Sequence, residues 1–398
     1  MTAPVEDPIA AVTHPDPYPY YADLVAHRPL HRDEPLGLWV ASSAAAVTAA
    51  LTSELGRVRP PGEPVPKALL GSPAAEIFGR LIRMNDGPGH CPFNRAVAAT
   101  LESIATARAA MASRGWAKAL LARTASSLGD FAFDLPVYVV ASLLGVPEAR
   151  VPDTARWMGD FVRGISARSG PEQIERGKIA AGHLLEQFRA LLADVGRMPP
   201  EAAFAILARE AAHLGGGAGA DVIVANGIGF MSQAAEATAG LIGNTLVTLA
   251  RDPHALERVR VDSGLLDGVV QEVLRFDPPV HNTRRFLARS GHIGGQAMQE
   301  GDAVLVVLAA ANRDPAANPD PMRFDPGRSA RRTFTFGVGS HACPGETLAA
   351  TIARAGVEQV LQSGYDLTPL AGAVSYRPSA NVRIPLMPFA CRSATRAV

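Results

Sequence analysis

The stretch from 334 to 349, FTFGVGSHACPGETLA, restricts this chain more than any other part of it. Three glycines, a histidine, a cysteine and a proline fall within positions 337 to 345. Gly337 and Gly339 open backbone angles that side chains forbid, so the chain can turn tightly here, and Gly345 lets a flat ligand come close. The residues after Cys343, PGETLAATIARAGVEQVL, have helical period, which predicts a helix starting just beyond the cysteine. Its positive dipole end and free amides favour a thiolate. Such a loop aims one anionic sulfur at a metal. Cys91 and Cys391 lie apart from it; three cysteines are too few for a disulfide framework, and no CxxC pair suggests zinc. For those two, a small buried apolar residue is the expectation.

Composition excludes several partners. Lys plus Arg and Asp plus Glu each total 38 of 398 residues, so no net charge recruits nucleic acid or an anionic membrane. Hydrophobic residues make up 47%, enough for a large core. The N-terminus shows no basic segment followed by an apolar one and no long apolar span, so a cytoplasmic protein without a membrane anchor is expected.

Patterning along the chain divides it into a strand-bearing start, a helical body and a mixed end. LGLWVASSAAAV reads as strand and RPPGEPVPKALLGSP, 59 to 73, as loop. From about 74 to 275, Ala-, Leu- and Arg-rich stretches show helical periodicity, broken by PGH at 88 to 90, GVPEARVPD at 145 to 153, SGP at 169 to 171 and GGGAGAD at 215 to 221. After Pro278 and Pro279 short strands return, including HIGGQAMQEGDAVLVVL, and a hairpin is expected around Tyr376 to Pro388. The expected class is mostly α with small β sheets, one domain over 1–398 without internal repeats. Asp221 to Leu249 is long and apolar but carries Asn226, Ser232, Gln233, Glu236, Thr238, Asn244 and Thr245. That suits a helix through the protein's centre better than a membrane span, and a glutamate buried there needs a partner or a function.

The cysteine loop resembles that of the cytochromes P-450, Phe-Gly-x-Gly-x-His/Arg-x-Cys-x-Gly: Phe336, Gly337, Gly339, His341, Cys343 and Gly345 match every fixed position. Glu272 and Arg275 in QEVLRFDPP, three apart on one helix face, look like the family's Glu-x-x-Arg helix. ANRDPAANPDPMRFDPGR is similar to its Asn-Arg-Asp-Pro and Phe-Asp-Pro elements. The resemblance implies a triangular helical prism around heme b with a minor β lobe, Cys343 as axial ligand to the iron, and a structural role for Glu272 and Arg275 with the Arg328 region. For the heme propionates it nominates His90, Arg285 and His341. The family's early-helix histidine is usually followed four residues on by arginine; here Asn94 holds that place and the arginine is Arg95, the further cofactor contact that the resemblance implies.

On the central helix the family usually reads Ala-Gly-x-Asp/Glu-Thr-Thr/Ser, the acid and first threonine delivering protons to dioxygen. This chain reads Gln233-Ala234-Ala235-Glu236-Ala237-Thr238. The acid is kept and the usual threonine is Ala237, while Thr238 stands about 100° further round a helix and is no simple replacement. Three routes remain: a water held by Glu236 and Gln233, a polar group on the substrate, or a reaction without dioxygen cleavage. Pocket-wall residues implied by the resemblance are Ala234, Ala237, Val280, Asn282 and residues near Asn381. His281 and Asn282 hint at a polar substrate group, with a surface position the alternative for His281.

A soluble bacterial-type monooxygenase of secondary metabolism is the implied function, monomeric and acting on a small organic, largely apolar substrate. No flavin or ferredoxin module can be found in the chain, so ferredoxin and ferredoxin reductase are the implied electron donors, and Arg323, Arg328, Arg331 and Arg332 could offer ferredoxin a basic face. A peroxide-driven or nitric-oxide-reducing heme-thiolate enzyme is the alternative that Ala237 motivates.

Overall fold

The computed structural model describes residues 4–87, 90–123, 127–166, 168–214 and 219–387, with backbone alone at 90–92. Helices dominate it: α1 (Tyr18–His27), α2 (Ala44–Thr52), α3 (Pro73–Arg80), α4 (His90–Glu102), α5 (Thr106–Leu121), α6 (Leu128–Leu144), α7 (Val151–Gly164), α8 (Pro171–Ala193), α9 (Ala203–Ala212), α10 (Ala220–Arg251), α11 (Pro253–Val261), α12 (Leu266–Phe276), α13 (Leu308–Asn312) and α14 (Glu346–Gln362). The strands are β1 (Leu30–Asp33), β2 (Leu38–Ala41), β3 (Gly56–Arg57), β4 (Thr283–Leu287), β5 (Gly291–Ile293), β6 (Gln296–Met298) and β7 (Ala303–Val306). The class is the expected one, mostly α with small sheets.

Five strands form one sheet in the order β1-β2-β7-β4-β3, and β5 and β6 form a hairpin. β2 runs parallel to β7, with Trp39 opposite Val304, while β4 pairs antiparallel with β7, placing Arg285 opposite Val304. The run LGLWVASSAAAV is strand only as far as Ala41. Ser43 then accepts a hydrogen bond from the Ala46 N–H and caps α2, turning an alanine-rich run into helix. The expected terminal hairpin reduces to isolated bridges, Tyr376 with Pro385 and Val280 with Val382; Pro388 lies outside the described residues, as do Gly215 to Gly217 and Cys391.

α10 is the axis of the helical core, about 48 Å long at 1.5 Å per residue. α6, α8, α12 and α14 pack around it. At Gly356 of α14 an added Cβ would meet Leu135 of α6 at 2.7 Å and Ile242 of α10 at 3.5 Å, so glycine sets how closely these three helices approach. Gly240 and Gly243 do the same for the segment after α14: a Cβ there would strike the Arg383 carbonyl at 2.7 Å and Pro385 at 2.6 Å. No helix among the described residues is long and apolar enough to cross a membrane.

Glu272 and Arg275 of α12 are both fully buried, and Arg275 Nη2 donates to Glu272 Oε1 at 2.6 Å. Arg275 also donates to the carbonyls of Pro321 (2.8 Å), Arg323 (3.0 Å) and Asn312 (3.4 Å). Arg328 joins the carboxylate at 3.4 Å, and Arg331 does so more closely, at 2.8 Å. Burial alone would raise the Glu272 pKa, but the hydrogen bonds from Arg275 and Arg331 hold it below the ordinary glutamate value. Glu272→Ala would leave three guanidinium groups without their shared anion, and is expected to destabilise the fold by about 3–5 kcal/mol in chemical denaturation.

Candidate active site

Gly337 (φ +71°) and Gly339 (φ +81°) occupy the left-handed region, so the loop requires glycine at both. Gly337 N–H donates to the Phe334 carbonyl and Cys343 N–H to the Phe336 carbonyl, each at 2.8 Å. Asn312 suspends the loop from α13: its Oδ1 accepts from Phe334 N–H at 2.6 Å and its amide donates to Thr335 Oγ1 at 2.9 Å. Cys343 follows, three residues before α14, and its sulfur accepts from Gly345 N–H at 3.4 Å.

Cys343 is accessible to solvent. Burial nonetheless pushes its thiol up, Glu346 adds to this, and Gly345 N–H and Arg83 pull the other way without reversing it. Arg83 shows the same combination, accessible yet lowered by burial, with Cys343 opposing the shift. Groups that solvent reaches but protein surrounds lie in a recess. The helix start therefore does not ionise this cysteine unaided, and a metal cation would supply the missing stabilisation.

Two of the nominated residues, His341 and Arg285, converge on an acid that sequence reasoning passed over. His341 Nε2 lies 3.0 Å from Asp86 Oδ1, and Asp86 Oδ2 accepts from Val58 N–H at 3.0 Å. Arg285, buried on β4, feels the charge of Asp86, and so does Arg59. Burial alone would raise the Asp86 pKa; the His341 and Val58 hydrogen bonds keep it below the usual carboxylate value. Its only sequence signal is its place in the NDGPGH run that also holds His90. α4 starts at His90, whose side chain lies outside the described residues, and Arg95 is exposed on α4, away from this cluster's hydrogen bonds. Cys343 with Arg83 acting on it, and Arg285 and His341 gathered at Asp86, suit a ligand that carries a metal and peripheral carboxylates, and heme fits that donor set.

α10 is buried along most of its length but opens at Gln233, Ala234, Glu236 and Ala237. Positions three and four apart share a helix face, so these residues border one opening. The Gln233 amide donates to the Gly229 carbonyl at 3.0 Å, within its own helix. Thr238 is turned into the core, and its hydroxyl has no hydrogen-bond partner among the described residues. Glu236 Oε1 lies 3.7 Å from Arg377 Nη1. Burial raises its pKa against the pull of Arg377 and Arg163.

Two sequence expectations change here. His281 is fully buried and points at the Tyr21 hydroxyl, 2.9 Å from Nδ1, so it is neither on the surface nor on the pocket wall. Asn282 is buried with its amide donating to the Ala380 carbonyl at 2.9 Å, which ties it to the terminal segment; Val280 remains partly accessible. Arg328 and Arg331 are taken up by Glu272, so of the four arginines only Arg323 and Arg332 are left for a basic face.

A sequence model described as Cytochrome P-450 matches residues 180–369. The 6-deoxyerythronolide B hydroxylase of Saccharopolyspora erythraea is 30% identical over 354 residues, 84% of this chain and 85% of that protein. The chain belongs to the cytochrome P-450 family. The biotin biosynthesis cytochrome P-450 of Bacillus subtilis is 29% identical over 253 residues, a stretch spanning 63% of either protein, less than two thirds of its length. The crystal structure of CalO2 superposes with a TM-score of 0.82 at 29% identity, covering 97% of this chain and 98% of that one. With the cytochrome P-450 family come heme b as cofactor and the oxidoreductase class. Arg285→Ala removes a buried cation that feels Asp86 and is expected to speed heme transfer to apomyoglobin by about tenfold or more, one charge-assisted hydrogen bond being worth about 1.5–3 kcal/mol.

Proposed function

We propose that this cytochrome P-450 is a monooxygenase that inserts one oxygen atom of dioxygen into a small, largely apolar organic molecule, with electrons from a separate ferredoxin and ferredoxin reductase. It would act as a monomer in the cytoplasm, with residues 1–398 forming one catalytic domain. The carrying observation is the accessible Cys343 at the head of α14, in a recess it shares with Arg83. A relative that is by name a hydroxylase supports the same reading. Bound at Cys343, heme would supply the binding and reductive activation of dioxygen.

The chain's own residues would do the rest. Cys343 would hold the heme iron through its sulfur, which Gly345 N–H steadies. Arg285 and His341, with His90, would hold the propionates, while Phe336, Gly337 and Gly345 would shape the loop that receives the cofactor. Ala234, Ala237 and Val280 line the substrate side, and their small apolar surfaces exclude water without fixing a polar group. Glu236 is the proton source at the opening of α10. Ala237 offers no hydroxyl and Thr238 faces the core, so the proton must pass through a water or through the substrate's own polar group. Gln233 keeps its side-chain carbonyl available to hold such a water, since only its amide is bonded within the helix.

Ala237 also favours a second reading, an enzyme driven by peroxide or one that reduces nitric oxide, because neither needs the missing hydroxyl. Product formed with peroxide but not with a competent ferredoxin chain would select it. The reduced carbon-monoxide complex is expected to show the red-shifted Soret band of thiolate ligation, and Cys343→Ala to lose it. Glu236→Gln should lower kcat on the order of a hundredfold while the spectral binding constant for substrate stays put. Equal losses in both would remove Glu236 from the proton route.

A further inference from the structure

Arg377 belongs to the segment after α14, and its backbone N–H donates to the Ile384 carbonyl at 2.9 Å. Its guanidinium carbon lies 4.9 Å from the ring centre of Phe133 on α6, and its Nη1 lies 3.7 Å from Glu236 Oε1 on α10. The two side chains are comparably accessible, 27% for Arg377 and 29% for Glu236. At that separation the pair is an ion contact without a hydrogen bond, and a carboxylate so held can leave without breaking one. We propose that Arg377 is the positioning residue of Glu236, tethering the acid at the opening of α10 to the segment after α14 and releasing it to take up a proton.

The other charges nearby do not offer the same service. Arg163, near the end of α7, also acts on Glu236, but its guanidinium already meets Asp160 at 2.8 Å. α6 turns the apolar Phe133 towards Arg377, and the adjacent Asp134 answers to Arg123 and Asp130 rather than to Glu236. Phe133 therefore supports the guanidinium from below without competing for its charge. Tethered, Glu236 is stabilised as the anion; once free of Arg377 in its partly buried setting, it favours the acid form, and water is the proton donor. The functional weight of the tether rests on the proton-source role proposed above, whereas the tether itself is a property of the folded protein.

Infrared difference spectra of the heme-loaded, substrate-free protein across pH read the tether directly, with the carboxyl band missing from Glu236→Gln giving the assignment. Arg377→Gln is expected to move the Glu236 midpoint up by about one pH unit, because an adjacent cation favours the charged form and its loss favours the acid. Arg377→Lys should restore most of the shift, and Phe133→Leu, which loosens the guanidinium without discharging it, should move the midpoint the same way by less. A midpoint unmoved in Arg377→Gln, with the thiolate carbon-monoxide band intact, overturns the tether; should that variant not fold, an unmoved midpoint in Phe133→Leu does so. A shifted midpoint together with undiminished turnover of Glu236→Gln would uphold the tether and sink the proton-source role instead.

Discussion

The buried carboxylate of Glu272 is the constraint on which the rest of this structure hangs. A single acid with no solvent contact gathers Arg275, Arg328 and Arg331, and Arg275 carries the same interaction on to three backbone carbonyls between Asn312 and Arg323. An irregular stretch from 312 to 335 is thereby given a fixed path, although it lacks long helices or strands of its own. Asn312, Asn318 and Thr335 extend that order: Asn318 donates to the Asn312 and Arg332 carbonyls, and Asn312 grips the start of the cysteine loop. The position of Cys343 is thus inherited from a charge network one helix away. Desolvating so many charges is costly, so the network is better explained by what it specifies than by net stability.

A second buried network fastens the two ends of the described chain. Arg383 donates to Asp277 at 3.0 Å and to the carbonyls of Val12, His14 and Pro15, while its guanidinium lies 3.4 Å from the Tyr376 ring centre. Tyr18 hydrogen-bonds the same aspartate. The segment that carries Arg377 to Glu236 is consequently pinned on both sides, by Arg383 beneath it and by the glycines of α10 against which it lies. A weak ion contact can sit on a rigid mount only because the mount is held by stronger ones.

The site divides its electrostatics into two regions. Arg83 acts on Cys343, while Arg285 and His341 meet at Asp86, and that set of donors suits an anionic cofactor edge. Along α10 the opening is lined by small apolar residues with one acid, whose charge is disfavoured by burial and tempered by Arg377. Burial disfavours the charged form of Cys343 in the first region and of Glu236 in the second, with Arg83 opposing it at one and Arg377 at the other.

Much of this was legible in the order of residues. The glycine spacing around Cys343, the Glu272/Arg275 pair and the long polar-studded helix depend on local backbone geometry and on periodicity, and sequence encodes both directly. What it could not show was which distant groups meet. Arg331 read as part of a basic face and closes on Glu272; His281 read as a pocket or surface residue and is buried against Tyr21; Asp86 drew no reading at all and meets His341. Ser43 converted half of an expected strand into a capped helix, a local signal overlooked rather than one absent. The sequence by itself determined the cysteine loop, the helical class and the missing hydroxyl at Ala237. Only the tertiary structure decided the partners of each buried charge, because such pairings join residues up to several hundred positions apart, and no local propensity reports which of many like-charged side chains will be the one desolvated beside a given acid.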